Sequence, residues 1–340
     1  MAHTISRDSR GFQGQVGYKA ETTYGTAATV DTFLPAVLPI GLAPRIGVLE
    51  SQARVPGYIS VPVKRNIHYD AGGEGALTFE LTRADRRELG RWAMGDAPTS
   101  AAQGGTAAYL HTFEFNAAAA AHNITGTSLT IQTGVPMSGG GVEPFTFAGC
   151  TCTSWEVGCE SDGIANVTFN VDAQSAIHTT DLATPTYPAT HVPFTWRSEP
   201  VIKRAGSALA GVRTAKFTVD NGLVTDRHLW DGTGKPARPK LNGSPAAQLE
   251  LEIEPSDLTL TYDDWATNTG RAWIMEFVGA EAATGYDYTF RVTIADGYIQ
   301  GEPPTVTGDE LLTHSLTILA NDNGTDPLYK VEVISLETSV

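Results

Sequence analysis

The chain is poor in the residue types on which catalytic and metal sites most often depend. Its 340 residues include only three cysteines and eight histidines. The histidines occur singly, without the close spacing that zinc sites use. No apolar run reaches the length of a membrane span, and the first residues lack the apolar segment of a signal peptide. We therefore expect neither membrane association nor conventional secretion.

The three cysteines lie close together in the sequence. Cys150, Cys152 and Cys159 fall on or beside a predicted pair of strands. An odd number of cysteines without a second cluster argues against a disulfide framework and against a zinc site. We interpret them as small buried or half-buried residues of a protein in a reducing compartment.

Two glycine-rich stretches lack the context that a nucleotide site requires. Gly11, Gly14 and Gly17 match a dinucleotide-binding pattern formally, but no strand precedes them and no helix follows. The stretch 232–235 looks like a phosphate-binding loop, yet Pro236 prevents the helix that such a loop needs. We predict that the protein is not an enzyme, with no catalytic residues and no cofactor.

Two short acidic stretches could supply oxygen ligands to a cation. They are the pair Asp263 and Asp264 and the segment 160–162. Calcium needs about six to eight oxygen ligands, and isolated acidic pairs more often form solvated ends of helices and turns. We therefore predict that these carboxylates are solvated and that the chain holds no metal.

The net charge is −15, and it is unevenly distributed. Residues 1–100 contain 11 Lys and Arg against 10 Asp and Glu, so residues 101–340 contain 12 against 28. An acidic surface repels phosphate backbones. We expect that the chain does not bind nucleic acid tightly, although it could enclose it.

Short alternating runs of apolar and polar residues predict a mainly β fold. The chain contains 35 glycines and 19 prolines without any period, and its Val, Thr, Phe and Tyr crowd into short segments. Leu249, Leu251 and Ile253 alternate with polar residues over 248–254, which predicts one buried face and one acidic face.

The same order of predicted elements occurs twice. In each copy a strand leads into one short helix, and further strands follow. The first copy comprises a strand over 76–81, a helix over 82–94 with Leu89 and Trp92 on one face, and strands over 109–115, 128–131, 144–157, 164–171 and 191–196. The second comprises a strand over 248–253, a helix over 256–267, and strands over 272–278, 286–294, 313–319 and 328–336.

The remaining segments are extended and are rich in glycine, proline and isolated aromatic residues. We predict an N-terminal arm over 1–44, a first unit over 45–200 and a second unit over 201–340. A long connection over 220–247 and a comparable one over 50–75 precede the two helices, and loops of this length are often functional. Seven residues of the arm and these loops are predicted to contact neighbouring subunits or rings: Phe12, Tyr18, Tyr24, Tyr58, Trp230, Lys235 and Arg238.

Several motifs, in order, resemble those of tail tube proteins of long-tailed bacteriophages. They are VGYKAETTYGTAA at 16–28 followed by FLP at 33–35, FAGC at 147–150, SWEV at 154–157, FTVDNGL at 217–223, and GDEL at 308–311 before TILA at 317–320. The resemblance spans nearly the whole chain. It departs in the second helix, where Asp263, Asp264, Thr267 and Asn268 stand in place of apolar residues.

The resemblance implies a β-barrel or sandwich unit with a flanking helix. Such units join edge to edge into rings whose inner strands form one continuous barrel, and the rings stack into a tube through which DNA leaves the capsid. Because this chain has two units, we favour a trimeric ring with pseudo-sixfold symmetry over a hexamer. The implied partners are further copies of the chain, tape-measure and tail-tip or terminator proteins, and genomic DNA that passes without specific binding. The implied location is the virion tail, assembled in the host cytoplasm.

The polar sides of the inner strands are the candidates for a channel surface. We predict that Glu250, Glu252, Glu156 and Asp172 face the lumen. Two alternatives stay open at this stage. One is an adhesion-like β-sandwich of a cell surface, and the other is a minor tail or capsid decoration protein.

Overall fold

A computed structural model describes residues 14–50, 66–83, 87–95, 97–115, 127–137, 141–187, 192–197, 200–254, 259–301 and 313–338. It is mainly β with two short helices, as the sequence predicts, and its strands pair antiparallel. The strands described do not close into a barrel within one chain.

The elements follow one another along the whole chain. The first part contains β1 (Gln15–Ala20), β2 (Thr32–Leu34), β3 (Ala36–Val37), β4 (Ala43–Glu50), β5 (Asn66–Glu80), α1 (Arg87–Met94), β6 (Thr99–Ala102), β7 (Tyr109–Phe115), β8 (Leu129–Pro136), β9 (Val142–Glu160), β10 (Asn166–Ala173) and β11 (Ser175–Ile177). The second contains β12 (Val201–Arg204), β13 (Ser207–Ala208), β14 (Val212–Asp220), β15 (Leu223–Val224), β16 (Lys240–Leu241), β17 (Ala246–Ile253), α2 (Thr259–Thr267), β18 (Arg271–Ala283), β19 (Tyr286–Gln300), β20 (His314–Ala320) and β21 (Tyr329–Ser335).

Eight strands from both halves of the chain form one continuous layer. Their spatial order is β4, β5, β10, β9, β14, β17, β20 and β19, and every neighbour is antiparallel. We call this the eight-strand layer. The short strand β3 pairs with the last residues of β5, on the same side of β5 as β4 and therefore at the first edge of the layer. The two halves therefore share one sheet, joined where β9 pairs with β14.

The pairing pattern repeats between the halves. In the first, β4, β5, β10 and the second half of β9 lie side by side, and in the second β14, β17, β20 and the second half of β19 do the same. The first half of β9 pairs with β8 and β11, as the first half of β19 pairs with β18 and β21. Both helices contact the long strand of their own half. The domain boundaries at 44 and 200 stay predictions.

One face of the eight-strand layer is apolar and forms the core. Directly opposed residues on paired strands share a face, and one such row consists of the buried residues Phe79, Val167, Val157, Phe217, Leu249 and Ile318. The predicted alternation in β17 is confirmed, because Leu249, Leu251 and Ile253 are all buried. Fully burying such a side chain contributes about 1.5–3 kcal/mol.

Helix α1 covers this core, and buried polar bonds fix its position. Leu89 and Trp92 are buried, as the helical spacing predicts. The Trp92 indole donates a hydrogen bond of 2.9 Å to the Cys150 carbonyl. Asn221, completely buried, donates to the carbonyls of Ala93 and Cys152, both at 3.0 Å. These bonds tie the end of the helix to β9.

Helix α2 docks through a buried charge. Asp264 is only 3% exposed, and its carboxylate accepts from Arg204 Nε at 2.7 Å and from Arg271 Nε at 3.2 Å. The prediction that this carboxylate is solvated is therefore wrong. Arg204 belongs to β12, which is far from the Asp pair in the sequence, and Arg271 begins β18 just after the helix. The acidic pattern alone therefore could not identify these partners. Trp265 packs partly against the core, whereas Tyr262 is exposed.

Several sequence-based boundaries need correction. Within the predicted arm, β1 pairs with β8, and β3 pairs with β5. Residues 66–75 of the predicted 50–75 loop belong to β5, which pairs with β4, whereas 51–65 lie outside the described residues. Residues 192–196 of the predicted strand over 191–196 are described, and they form isolated bridges at Pro193 and Thr195 instead of a continuous strand. Hairpin β6–β7 has no counterpart among the second unit's described strands, and it pairs with β21.

A half-buried carboxylate holds the turn after β1. Glu21 accepts four hydrogen bonds, from the backbone N–H groups of Gly25 and Gly149 and from the hydroxyls of Ser128 and Thr130, at 2.7–2.9 Å. Gly25 has a φ of 74°, a conformation that favours glycine. These contacts give a structural reason for the Glu-Thr-Thr-Tyr-Gly run in the N-terminal motif.

Candidate functional site

The second face of the eight-strand layer is mostly polar from β5 to β19. One row of directly opposed residues runs across six strands and consists of Thr78, Thr168, Glu156, Thr218, Gln248 and Leu319. The next row consists of Glu80, Asn166, Gly158, Lys216, Glu250, Thr317 and Gln300. A third consists of Glu160, Thr214, Glu252 and Ser315. We call this surface the polar face.

The polar face is concave and acidic. Its centre encloses a groove of about 800 Å³ lined by residues of these rows. The paired positions contribute the carboxylates of Glu80, Glu156, Glu160, Asp220, Glu250 and Glu252. Lys216 is the cation among them, and Arg213 lies at a bulge with Nη1 4.0 Å from Glu252 Oε1. Carboxylates thus outnumber cations on this surface.

Contacts on the polar face are those of a solvated sheet. Lys216 Nζ lies 2.8 Å from Glu156 Oε2, and this bond raises the pKa of Lys216. Gln248 Nε2 donates to Glu250 Oε1 at 2.7 Å, and the hydroxyls of Thr78 and Thr168 lie 3.0 Å apart. No pair here has the geometry of a nucleophile with its base. The face therefore presents charged and hydrogen-bonding groups to solvent.

Three of the four predicted lumen residues come together on this surface. Glu156, Glu250 and Glu252 lie on strands β9 and β17, separated only by β14, and each is partly exposed. Asp172 differs, because it is 6% exposed and lies at the far end of β10. Its Oδ1 is 3.5 Å from Arg45 Nη2, whose Nη1 also binds Glu74 at 2.6 Å.

Burial is the main cause of the raised pKa of Asp172. Removal from water raises this pKa, the charge of Arg45 lowers it and that of Glu74 raises it, and the net result is a pKa of about 6. A raised folded-state pKa means that the ionised form is disfavoured in the folded protein. The resulting loss of stability is therefore present in full above about pH 6. It decreases as the pH falls towards the pKa of Asp172 in the unfolded chain and is absent well below that pKa.

Replacing Asp172 by Asn is expected to increase the free energy of unfolding at pH 8 by about 1–3 kcal/mol. The gain arises because the amide carries no charge into the buried site, and it should disappear near pH 3, below the pKa of about 3.9 of an unfolded Asp, where the carboxyl is mostly protonated in both states. Urea unfolding at both pH values measures the difference. A loss of stability at pH 8 would mean that the Arg45 pair outweighs burial.

The structure places the predicted contact residues in different surroundings. Tyr18 is buried in the core of its own chain. Tyr24 lies beneath Arg238 of the long loop, with the guanidinium carbon 5.2 Å from the ring centroid. Trp230 is fully exposed at 107%, and Lys235 is half-buried. Phe12 and Tyr58 lie outside the described residues. Their contacts with other subunits stay predictions.

Sequence reasoning missed most of the polar face. It identified the carboxylates of β17 because their alternation is strict, but it did not identify Thr78, Thr168 or Asn166 as their neighbours. Arg45 and Glu74 were also missed. The alternation of β5 and β10 marks which of their residues are polar, but only the pairing of distant strands places them on one surface.

Two further observations bear on function. Within the described residues no three His, Cys, Asp or Glu side chains lie close enough to hold a metal ion. The described helices are all too short or too polar to span a membrane. The three cysteines are free, with Cys150 and Cys152 buried, and burial raises the pKa of both thiols.

Comparisons with known proteins give one result. A family model described as "Phage tail tube protein" matches residues 11–320 of the chain. A search of curated proteins finds no match. The matched region includes both halves of the eight-strand layer.

Proposed function

The chain belongs to the phage tail tube protein family, and we propose that its copies form stacked rings whose central channel conducts the genome during ejection. Membership of this family implies that the protein is a structural component of the virion tail. The proposal adds the ring, its symmetry and the surface that faces the DNA. It includes no catalytic step.

The single observation that carries the proposal is the two-faced eight-strand layer. Its apolar face is covered by the chain's own core, whereas its polar face is open, concave and acidic. Among the described strands, β3 and β4 pair only with β5, and residues 298–300 of β19 pair only with β20. Open sheet edges favour pairing with another chain unless they are covered.

The strand pairing that connects the two halves of one chain indicates how neighbouring chains can pair. There, β14, the first strand of the second four-strand set, pairs with β9, the last strand of the first set. The corresponding contact between chains pairs β3–β4 of one copy with the second half of β19 of the next. Strand directions alternate along the layer, so this contact is also antiparallel, and repeating it closes the layer into a ring.

The duplication favours three chains per ring. Each chain carries two equivalent four-strand sets, so three chains give six sets with pseudo-sixfold symmetry. A hexameric ring of full chains is the second possibility. In either case the polar face lines the channel, and its excess of carboxylates repels the duplex so that DNA slides without specific binding. Tape-measure and tail-tip or terminator proteins are the further proposed partners, and assembly takes place in the host cytoplasm.

Electron microscopy of the purified chain at high concentration tests the proposal. We expect stacked rings with a central channel wide enough for duplex DNA, because both open edges find partners. Symmetry averaging should give three chains and six similar lobes per ring. Six full chains per ring would contradict the trimer, and compact monomers under every salt condition would contradict self-assembly without a nucleating partner.

A further inference from the structure

The long loop of the second unit rests on the first unit of the same chain. The loop joins β14 to β17, and Pro236 O accepts a hydrogen bond of 3.0 Å from Gln174 Nε2. His228 packs edge-on against Tyr69 of β5, with ring centroids 5.8 Å apart. Arg238 lies over the Tyr24 ring, and the carboxylates of Asp172 and Glu21 act on the same tyrosine by raising its pKa. A cationic loop of one unit thus covers an acidic end of the unit before it.

The segment of the first unit that corresponds to this loop is the ribbon β4–β5. The ribbon consists of the first two strands of the first four-strand set where they lead into each other, and the loop 220–247 connects the equivalent strands β14 and β17 in the second set. Within the chain it has no preceding unit to cover. We use "β4–β5 ribbon" for Ala43–Glu50 of β4 together with residues 66–69 of β5.

The surface that corresponds to Gln174 lies in the second unit. Gln174 is the single residue between β10 and β11, and its N–H donates to Ala148 O of β9. Between the equivalent strands β20 and β21 lie residues 321–328, and Asn321 N–H donates to Asp296 O of β19 in the same way. Residues 321–326 are all exposed. We call residues 321–326 the β20–β21 turn.

The ribbon exposes apolar side chains and the turn exposes carboxylates. Large apolar groups of the ribbon face water, with Ile46 at 70%, Leu49 at 57% and Ile67 at 61%. Among the described residues of the ribbon Arg45 is the cation and Glu50 the carboxylate, whereas the β20–β21 turn carries Asp322 and Asp326 without any Lys or Arg. Exposed apolar groups mark an interaction surface, and a cation opposite two carboxylates favours one orientation of the contact.

We propose that the β4–β5 ribbon of one chain docks on the β20–β21 turn of the adjacent chain in the same ring. Each unit then covers the unit before it, alternately within a chain and between chains. This inference rests on the proposed ring and adds its second contact, outside the paired edges. The occupant is a second copy of this chain.

Cysteine cross-linking tests the contact in assembled tubes. In a Cys159→Ser background, Ile67→Cys and Thr325→Cys are combined in one full-length chain, and a short bis-maleimide is added. Cys150 and Cys152 are buried and do not compete. We expect covalent dimers and trimers, ending at the number of chains in one ring, because a contact within a ring closes on itself. A matched control combines Ile67→Cys with Glu143→Cys, an exposed position on β9, and should not cross-link.

The outcomes separate this inference from the proposed function. Tubes that form without Ile67–Thr325 cross-links would overturn the docking contact and leave the tube intact. A ladder extending beyond one ring would place the contact between rings, which also overturns it. Failure of the Cys159→Ser parent to form any tube under conditions that nucleate assembly would overturn the ring and the contact together.

Discussion

Tubes in which Glu156, Glu250 and Glu252 are replaced by lysine are expected to retain duplex DNA that wild-type tubes release. The change removes three of the six carboxylates on the polar face and adds three cations beside Lys216. Phosphate contacts make DNA binding strongly dependent on salt. A protein that makes six to ten such contacts loses about 10³–10⁵ in DNA affinity between 50 and 200 mM salt. DNA that co-sediments with tubes at the two salt concentrations measures the effect.

Two controls locate the effect on the polar face. Replacing the same three residues by glutamine removes charge without adding cations, so these tubes should release DNA nearly as wild type does. Replacing Glu114, Glu143 and Glu281 by lysine makes the same change in net charge at exposed positions off the face. Equal retention by this second variant would show that overall charge, and not a channel surface, governs DNA binding.

Trp92→Ala is expected to lower the free energy of unfolding by about 3–5 kcal/mol, the range for loss of a large buried aromatic side chain. Trp92 is 1% exposed between α1 and the core, and its ring packs 5.6 Å from that of Phe169. Its indole N–H also satisfies the Cys150 carbonyl, which the alanine variant leaves without that donor. Urea unfolding of the unassembled chain measures the loss.

Trp230→Ala provides the matched control. The same change in chemistry at a fully exposed indole should alter stability by less than about 0.5 kcal/mol. Trp92→Phe should fall between the two, because it keeps much of the packing but loses the hydrogen bond. If Trp92→Ala and Trp230→Ala cost the same, α1 does not contribute its apolar face to the core.

Much of the fold follows from local sequence patterns. Strand β7 has the bounds that its alternation predicts, β17 begins two residues earlier than predicted, and β20 is shifted by one residue. Strand alternation also identified the buried and polar faces of β17, because successive side chains on a strand point to opposite sides. The family motifs include Glu21 and Asn221, which each make several hydrogen bonds in the structure, but the motifs alone do not name the partners of these bonds.

Other features depend on residues that are far apart in the chain. Asp264 belongs to an acidic pair and Asp172 is a single carboxylate near the end of β10, and the sequence gives no sign that Arg204 or Arg45 pairs with them. Likewise, the sequence predicts two long loops that contact other subunits, whereas part of one is a strand and the other lies on Tyr24 and Tyr69 of its own chain. Burial of a charge is decided by its neighbours in space, which local patterns do not specify.

The sequence by itself determined the mainly β class, the duplicated order of elements, the acidic character and the family of this protein, because each depends on composition or on patterns within a few residues. Only the tertiary structure decided that β9 joins β14 and that β7 joins β21. These pairings set which polar residues share one concave face and which edges stay open. Strand order is fixed by long-range hydrogen bonds and packing, and the alternation within a strand is compatible with many possible neighbours.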